Sequence, residues 1–233
     1  QRAGNADPYR DAKARSTEEA LGLLPWMRRE LAAAAAPLET AARMSIAGNI
    51  IDAIPGRQYE LRDELQRVLD HPLAINDVEA LRRALQGAEW VLYLADNAGE
   101  TVCDRLLIKA LGVPVRYAVK GSPIANDATI EDALAAGVDN QAELISTGSD
   151  APGTLLETCT AAFRRLSVDA PVIIAKGQAN YECLSEAGPR VFFLLQAKCP
   201  VLARDVNVPP GSTILCQGRN DGDHGAAGTE TAI

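Results

Sequence analysis

Long apolar stretches are absent from the sequence, and so is any excess of basic residues. No window holds eighteen consecutive apolar residues, so we expect no transmembrane helix. The 233 residues carry 23 basic and 31 acidic side chains, a net charge of −8. Proteins that bind nucleic acids need a basic face to neutralise phosphates. We therefore expect neither a membrane nor a nucleic acid as a partner.

Histidines and closely spaced cysteines are also scarce. The two histidines, His71 and His224, are too few for a histidine-rich metal site and make a Ser-His-Asp triad difficult to assemble. The five cysteines are odd in number and none forms a C-x-x-C pair, which disfavours a disulfide scaffold and a zinc ribbon. A metal site in this chain would have to consist of oxygen ligands.

No secretory signal is recognisable at the start of the chain. The residues after Gln1 lack both the basic and the apolar segments of a signal peptide, so we expect a cytoplasmic protein. The net negative charge allows a homo-oligomer but gives no argument for one.

Three regions of different composition divide the chain. Apolar residues at helical spacing predict an all-helical region over residues 1–88. From Trp90 onward, short apolar runs alternate with helical segments, which predicts a doubly wound, mostly parallel α/β sheet over residues 89–216. Residues 217–233 contain almost no large apolar side chain, and we expect them to form a flexible tail.

The positions of the individual elements follow from the same patterns. Strands are predicted at 90–96, 113–119, 143–147, 172–176 and 191–197. Helices are predicted at 16–36 (with Pro25 as a kink or a new start), 38–53, 58–70, 77–87, about 100–111, 128–136, 152–166 and 178–187.

The first four predicted strands all end in glycine together with polar side chains. In open α/β sheets the carboxyl ends of parallel strands share one edge, and ligands bind there. A purely structural sheet would end in generic turns at some of these points, so four such ends are the strongest functional signal. The residues concerned are Asp96, Asn97, Gly99, Glu100, Asn126, Asp127, Gly148, Ser149, Lys176, Gly177 and Asn180.

The residue types at this edge suit metal-assisted phosphoryl chemistry. Asp96, Asn97 and Asp127 offer hard oxygen atoms, which are the ligands of Mg²⁺-like cations. Glycines in the loops allow backbone N–H groups to approach an anion. Lys176 supplies a point charge for a phosphoryl oxygen.

Each of these features also has a structural interpretation. Asp96-Asn97 and Asn126-Asp127 are both good turn and N-cap sequences. A single lysine such as Lys176 is more often a surface residue whose methylene groups cover apolar neighbours. Taken one at a time, the motifs do not decide between the two interpretations.

Seven segments, in order between residues 7 and 203, match a known family pattern. They are DPYRDAK (7–13), SIAGNIID (45–52), LADNAGET (94–101), KGSPIANDAT (120–129), STGSDAPGT (146–154), AKGQANYE (175–182) and FFLLQAKCPVLA (192–203). In these segments the chain resembles the damage-control phosphatases, a metal-dependent family once catalogued as domain of unknown function eighty-nine. The resemblance is strongest to its short prokaryotic branch.

The resemblance implies a helical N-terminal region packed on a Rossmann-like core with helices on both faces. It implies a hydrolase that cleaves the phosphate monoester of a small metabolite, such as a sugar phosphate or a damaged phosphometabolite. The implied cofactor is a divalent cation: Mg, Mn, Co or Ni. By the same resemblance, Asp96, Asn97 and Asp127 are the metal ligands and Lys176 contacts the phosphate.

The expected catalytic residues are therefore Asp96, Asp127 and Lys176. One of the two aspartates would orient or deprotonate an attacking water. A covalent aspartyl-phosphate is the alternative to direct attack by water, and the sequence does not decide between them. The expected substrate-binding residues are Asn49, Glu100, Asn126, Gly148, Ser149, Gly177 and Asn180.

Three other functions remain open at this point. A phosphosugar- or nucleotide-binding module without turnover would use the same loops. A carboxyl methyltransferase would need a pocket for S-adenosylmethionine, and the loop after 90–96 lacks the G-x-G-x-x-G pattern. The third is a structural or assembly protein with a vestigial site.

Overall fold

A computed structural model of the chain describes residues 6–51 and 60–220. Its helices are α1 (Arg10–Ala33), α2 (Pro37–Ile51), α3 (Glu60–Asp70), α4 (Val78–Gln86), α5 (Thr101–Leu111), α6 (Ile130–Ala135), α7 (Ala161–Asp169), α8 (Gly177–Leu184) and α9 (Pro200–Asp205). Its strands are β1 (Ile75–Asn76), β2 (Val91–Leu94), β3 (Val115–Val119), β4 (Glu143–Ser146), β5 (Val172–Lys176), β6 (Val191–Gln196) and β7 (Thr213–Gln217).

The strands form one sheet in the order β1-β7-β6-β5-β2-β3-β4. All neighbouring pairs are parallel except β6 and β7, which are antiparallel. The mostly parallel α/β sheet predicted from the sequence is therefore confirmed. Strands β2 and β5 are buried along their whole length, which accounts for their continuous apolar sequences.

Helices cover both faces of the sheet. Successive residues of a strand point to opposite faces, so Tyr93 and Ile174 pack with residues of α1, α2 and α5 in one apolar cluster. Leu92 and Ile173 lie on the other face, in a second cluster with α7, α8 and α9. Two cores therefore hold the central strands in place from either side.

The N-terminal helices are present as predicted, but α1 begins at Arg10, six residues before its predicted start. Pro25 lies inside this helix of 24 residues and does not start a new one. Pro25 lies on the exposed side of α1, where water can satisfy the carbonyl group that a proline leaves without a donor. The N-terminal region also contributes the short strand β1, which pairs with β7.

The predicted helix at 152–166 is wrong over its first half. Residues 152–155 are irregular, a 3₁₀ turn follows at Leu156–Thr158, and α7 begins only at Ala161. Gly153 has a positive φ of 67°, which a helix does not accommodate. The hydroxyl of Thr160 accepts a hydrogen bond from the backbone of Phe163, 3.2 Å away, and so caps α7.

Gln217, which was expected to begin the tail, is instead the last residue of β7. Residues 221–233 lie outside the described part of the chain. None of the helices that the structure describes is long and apolar enough to cross a membrane. All five cysteines fall within the described residues, where they are free thiols.

Truncation of a side chain in the apolar cluster beneath α2 tests this packing. Phe192 in β6 is fully buried. We expect Phe192→Ala to lower the free energy of unfolding by about 3–5 kcal/mol, because it leaves a cavity between sheet and helices. Urea denaturation followed by circular dichroism measures the change.

A matched control is Val168→Ala in α7, where the side chain is 71% exposed. We expect this substitution to change stability by no more than about 0.5 kcal/mol. Equal effects of the two substitutions would contradict the assignment of Phe192 to the core.

Candidate active site

The loop after β2 and the loop before α6 lie side by side at the carboxyl edge of the sheet. Asn97 and Asp127 form an isolated antiparallel bridge. Backbone hydrogen bonds of 2.8 and 2.9 Å flank this pair on either side. Asp96 precedes Asn97 in the same loop. The three expected metal ligands are thus neighbours, although 30 residues of sequence separate Asn97 from Asp127.

The side-chain amide of Asn97 is oriented by Glu100. Oε1 of Glu100 accepts hydrogen bonds from the backbone N–H of Asn97 at 2.7 Å and from its Nδ2 at 2.8 Å. Nδ2 also lies 3.3 Å from Oδ2 of Asp96. Because the nitrogen of the amide faces these carboxylates, the amide oxygen of Asn97 points the other way and is available as a ligand.

Gly177, the first residue of α8, lies directly against the carboxylate of Asp96. A Cβ atom at position 177 would lie 1.8 Å from Oδ2 of Asp96. The φ angle of Gly177 is +79°, in the region that favours glycine. Both the space and the backbone conformation therefore require glycine beside Asp96.

Asp127 is paired with a lysine that the sequence analysis did not select. The ammonium group of Lys120, at the end of β3, lies 3.4 Å from Oδ2 of Asp127. It also donates hydrogen bonds to the carbonyl of Ala151, at 2.9 Å, and to that of Gly153. Burial raises the pKa of Asp127 above its ordinary value, although the charges of Lys120 and Lys13 oppose this shift.

Lys176, the expected phosphate contact, lies below these loops and has no exposed surface. Its ammonium group donates to Oε2 of Glu100 at 2.6 Å, to Oδ1 of Asp104 at 3.0 Å and to the carbonyl of Ser45 at 3.0 Å. Burial alone would lower the pKa of Lys176, but the two carboxylates raise it above its ordinary value. Lys176 is therefore charged, and its role toward phosphate stays a prediction.

Asp104 is the main polar residue of this region that the sequence analysis missed. Besides Lys176, it accepts hydrogen bonds from the hydroxyl groups of Ser45, Tyr93 and Tyr117, each 2.7 Å long. One signal was present in the sequence: Asp104 follows Glu100 by four residues, so both carboxylates lie on the same face of α5. That face is otherwise apolar.

Two of the expected substrate-binding residues stabilise loops in this structure. The hydroxyl of Ser149 lies 2.5 Å from that of Thr158 and accepts a hydrogen bond from the backbone of Ala151. Asn180 donates to the carbonyl groups of Ala95 and Lys176, at 3.2 and 2.8 Å. Their contribution to substrate binding stays a prediction.

The remaining predicted residues are distributed around the same edge. Gly148 has a positive φ of 75° and is exposed at the end of β4. Asn126 uses its carbonyl group to accept a hydrogen bond from the backbone of Ala98 at 2.9 Å. Asn49 belongs to α2, but its side chain lies outside the described part of the structure.

The donor set at the Asn97–Asp127 bridge fits a hard divalent cation. Within residues 6–51 and 60–220, no group of three His, Cys, Asp or Glu side chains is placed to hold a metal. A metal at this edge would therefore use the amide oxygen of Asn97 together with the carboxylates of Asp96 and Asp127. Carboxylate and amide oxygens suit cations such as Mg²⁺ and Mn²⁺.

A cavity of about 660 Å³ opens next to Lys120, between the start of α1 and the start of α6. Asp7, Arg10, Thr129 and Asp132 contribute polar groups to its wall. Behind this wall, the buried ammonium group of Lys13 bridges Asp7 at 2.7 Å and Asp132 at 2.8 Å. Charged groups of both signs therefore lie among the apolar residues of its wall.

The sequence of the chain matches the model of a known family. The family model described as damage-control phosphatase ARMT1-like domain matches residues 1–214. The chain belongs to this family. The resemblance seen in the seven sequence segments is thereby confirmed, and membership among the damage-control phosphatases supports a phosphatase function.

Two relatives and a solved structure agree with this assignment. The damage-control phosphatase of Pyrococcus horikoshii is 38% identical over 222 residues, which cover 93% of this chain and 76% of the relative. The damage-control phosphatase of Archaeoglobus fulgidus is 40% identical over 220 residues, covering 91% and 76%. The crystal structure of a DUF89 family protein from Pyrococcus horikoshii superimposes with a TM-score of 0.84 at 36% identity, covering 93% of this chain and 77% of that one.

Substitution of Gly177 by alanine tests the close approach of Asp96. We expect Gly177→Ala to lower the free energy of unfolding by about 1–3 kcal/mol, because it imposes a strained backbone and displaces a carboxylate. Urea denaturation measures the change.

Gly22→Ala in α1 is the control, since a Cβ atom there meets nothing within 4 Å. Alanine favours a helix over glycine by about 1 kcal/mol, so we expect this variant to be at least as stable as the parent protein. A Gly177→Ala variant as stable as the parent would show that Asp96 does not depend on this glycine.

Proposed function

We propose that this damage-control phosphatase hydrolyses small phosphate monoesters with the help of a divalent cation held by Asp96, Asn97 and Asp127. The observation that carries the proposal is the backbone bridge between Asn97 and Asp127, which brings together the two loops that carry the three hard oxygen donors. The orientation of the Asn97 amide by Glu100 supports it, because the amide oxygen is left for a ligand.

The cation, when bound, would polarise the phosphoryl group and offset its negative charge. Lys176 is the proposed lysine contact of the phosphate, and such a contact would require it to give up one of its hydrogen bonds to Glu100, Asp104 or the carbonyl of Ser45. Backbone N–H groups in the loops of Gly148 and Gly177 are the proposed contacts of the remaining phosphoryl oxygens. Positioning and charge compensation are the main means of catalysis for phosphoryl transfer.

Water is the proposed nucleophile. It attacks phosphorus in line, the bond from phosphorus to the ester oxygen breaks, and the products are inorganic phosphate and an alcohol. We assign the orientation of this water to Asp96 or Asp127, whose carboxylates lie at the bridge where the phosphate would bind. A proton from the attacking water balances the charge of the departing alkoxide.

The cavity beside Lys120 is the proposed place of the organic part of the substrate. Its volume of about 660 Å³ is that of a small-molecule pocket. Lys120 lines this cavity and also contacts Asp127, so the cavity lies next to a proposed metal ligand. The charged side chains of Asp7, Arg10 and Asp132 in its wall are the proposed contacts of a hydroxylated metabolite, such as the sugar part of a sugar phosphate.

Phosphate release in the presence and absence of metal tests the proposal. The substrates are p-nitrophenyl phosphate and a panel of sugar phosphates, assayed with metal-free protein and with added Mg²⁺, Mn²⁺, Co²⁺ or Ni²⁺. We expect metal-dependent release that falls to background in Asp96→Ala and Asp127→Asn, because each variant loses a carboxylate ligand.

Asp205→Asn is the matched control, because Asp205 pairs with Tyr181 away from the site. We expect it to retain the activity of the parent protein. Full turnover in both Asp96→Ala and Asp127→Asn would contradict the metal assignment. Binding of phosphate esters without release, with every metal, would instead support a binding module.

A further inference from the structure

We propose that Asp104 is a positioning residue for the metal end of the site. Through Lys176 and Glu100 it fixes the amide of Asn97 in the orientation that a cation requires. The inference rests on the proposed function, since Asn97 acts as a metal ligand only there. Asp104 is not a neighbour of the bridge itself, so its effect must pass through the residues between.

The first link joins Asp104 to Lys176. Oδ1 of Asp104 lies 3.0 Å from the ammonium nitrogen of Lys176, and neither side chain has any exposed surface. No water competes for either charge at such a position, so the pair keeps one geometry. The carbonyl of Ser45 takes a further N–H of the lysine and completes its three hydrogen bonds.

The second link joins Lys176 to Asn97 through the two oxygens of Glu100. Oε2 accepts from Lys176 at 2.6 Å, while Oε1 accepts both N–H donors of Asn97 at 2.7 and 2.8 Å. Movement of the lysine would therefore turn the carboxylate of Glu100. A turned carboxylate would release the amide of Asn97, whose oxygen faces the proposed metal.

The position of Asp104 itself is set by three separate elements. Ser45 of α2, Tyr93 of β2 and Tyr117 of β3 each direct a hydroxyl group at its carboxylate. The two tyrosine rings stack with their centroids 5.1 Å apart, which leaves them little freedom. Because three elements hold the carboxylate of Asp104, this carboxylate can in turn fix the side chain of Lys176 in β5.

A purely structural role is the competing explanation. Buried ion pairs are weak evidence for stability, because the cost of removing the charges from water offsets their attraction. A residue that orients a metal ligand has an effect that a purely structural residue lacks, because its loss weakens metal affinity by roughly 10–100-fold. Metal affinity measured without substrate therefore separates the two explanations.

The experiment is calorimetric titration of the metal-free protein with Mn²⁺, in the absence of substrate. We expect Asp104→Asn to bind Mn²⁺ roughly 10–100-fold more weakly than the parent protein. Asparagine keeps the shape of the side chain but removes the charge that holds Lys176. Circular dichroism confirms that each variant is folded before the titration.

Tyr117→Phe is the second variant, in case Asp104→Asn does not fold. It removes only the hydroxyl that donates to Oδ2 of Asp104. We expect a severalfold loss of Mn²⁺ affinity. Tyr181→Phe is its control, since it also removes a hydrogen bond from a tyrosine to an aspartate, the more exposed bond of 2.6 Å to Asp205. The control should bind Mn²⁺ like the parent protein.

The outcomes separate this inference from the proposed function. Suppose that the parent protein binds Mn²⁺ and that Asp96→Ala abolishes the binding. Then parental affinity in the folded variants Asp104→Asn and Tyr117→Phe, even with lowered thermal stability, would overturn the positioning role and leave the proposed function standing. Absence of Mn²⁺ binding by the parent protein would overturn both.

Discussion

The buried ion cluster around Lys176 is the constraint on which the site depends. One ammonium group and two carboxylates, those of Glu100 and Asp104, have no exposed surface. Such charges are tolerable inside a protein only when every one of them is paired and hydrogen-bonded. The helices α2 and α5 and the strands β2, β3 and β5 must therefore meet in one register, because each contributes a group to the cluster.

The same cluster connects the core of the protein to its surface loops. Glu100 has one oxygen in the cluster and the other on the loop of Asn97. That loop is bridged in turn to Asp127, whose carboxylate pairs with Lys120 beside the cavity. A continuous series of polar contacts thus connects the buried cluster to the edge where the loops that follow β2 and β3 meet. Sites built on such supports hold their ligands with little reorganisation.

Much of this edge could be predicted from residue order. Asp96 and Asp127 were selected because they follow neighbouring parallel strands, and parallel strands end on the same side of a sheet. The structure brings the loops of these residues into contact. The helix expected at 152–166 was wrong over its first half because Pro152-Gly153 is a turn sequence, and Gly153 adopts a left-handed conformation packed against α8.

The alternation of apolar runs and helical periods was sufficient to predict a mostly parallel sheet covered on both faces, because burial on two sides demands such runs. The order of strands and polar residues along the chain also predicted that the hard oxygen donors lie at one edge of the sheet. Only the packed structure decided the direction of the Lys176 side chain and the importance of Asp104. Those two side chains come from β5 and α5, and their contact depends on a packing distance that no local pattern encodes. The pairing of a lysine with buried carboxylates is a property of the assembled interior, since its energy exists only after water has been excluded.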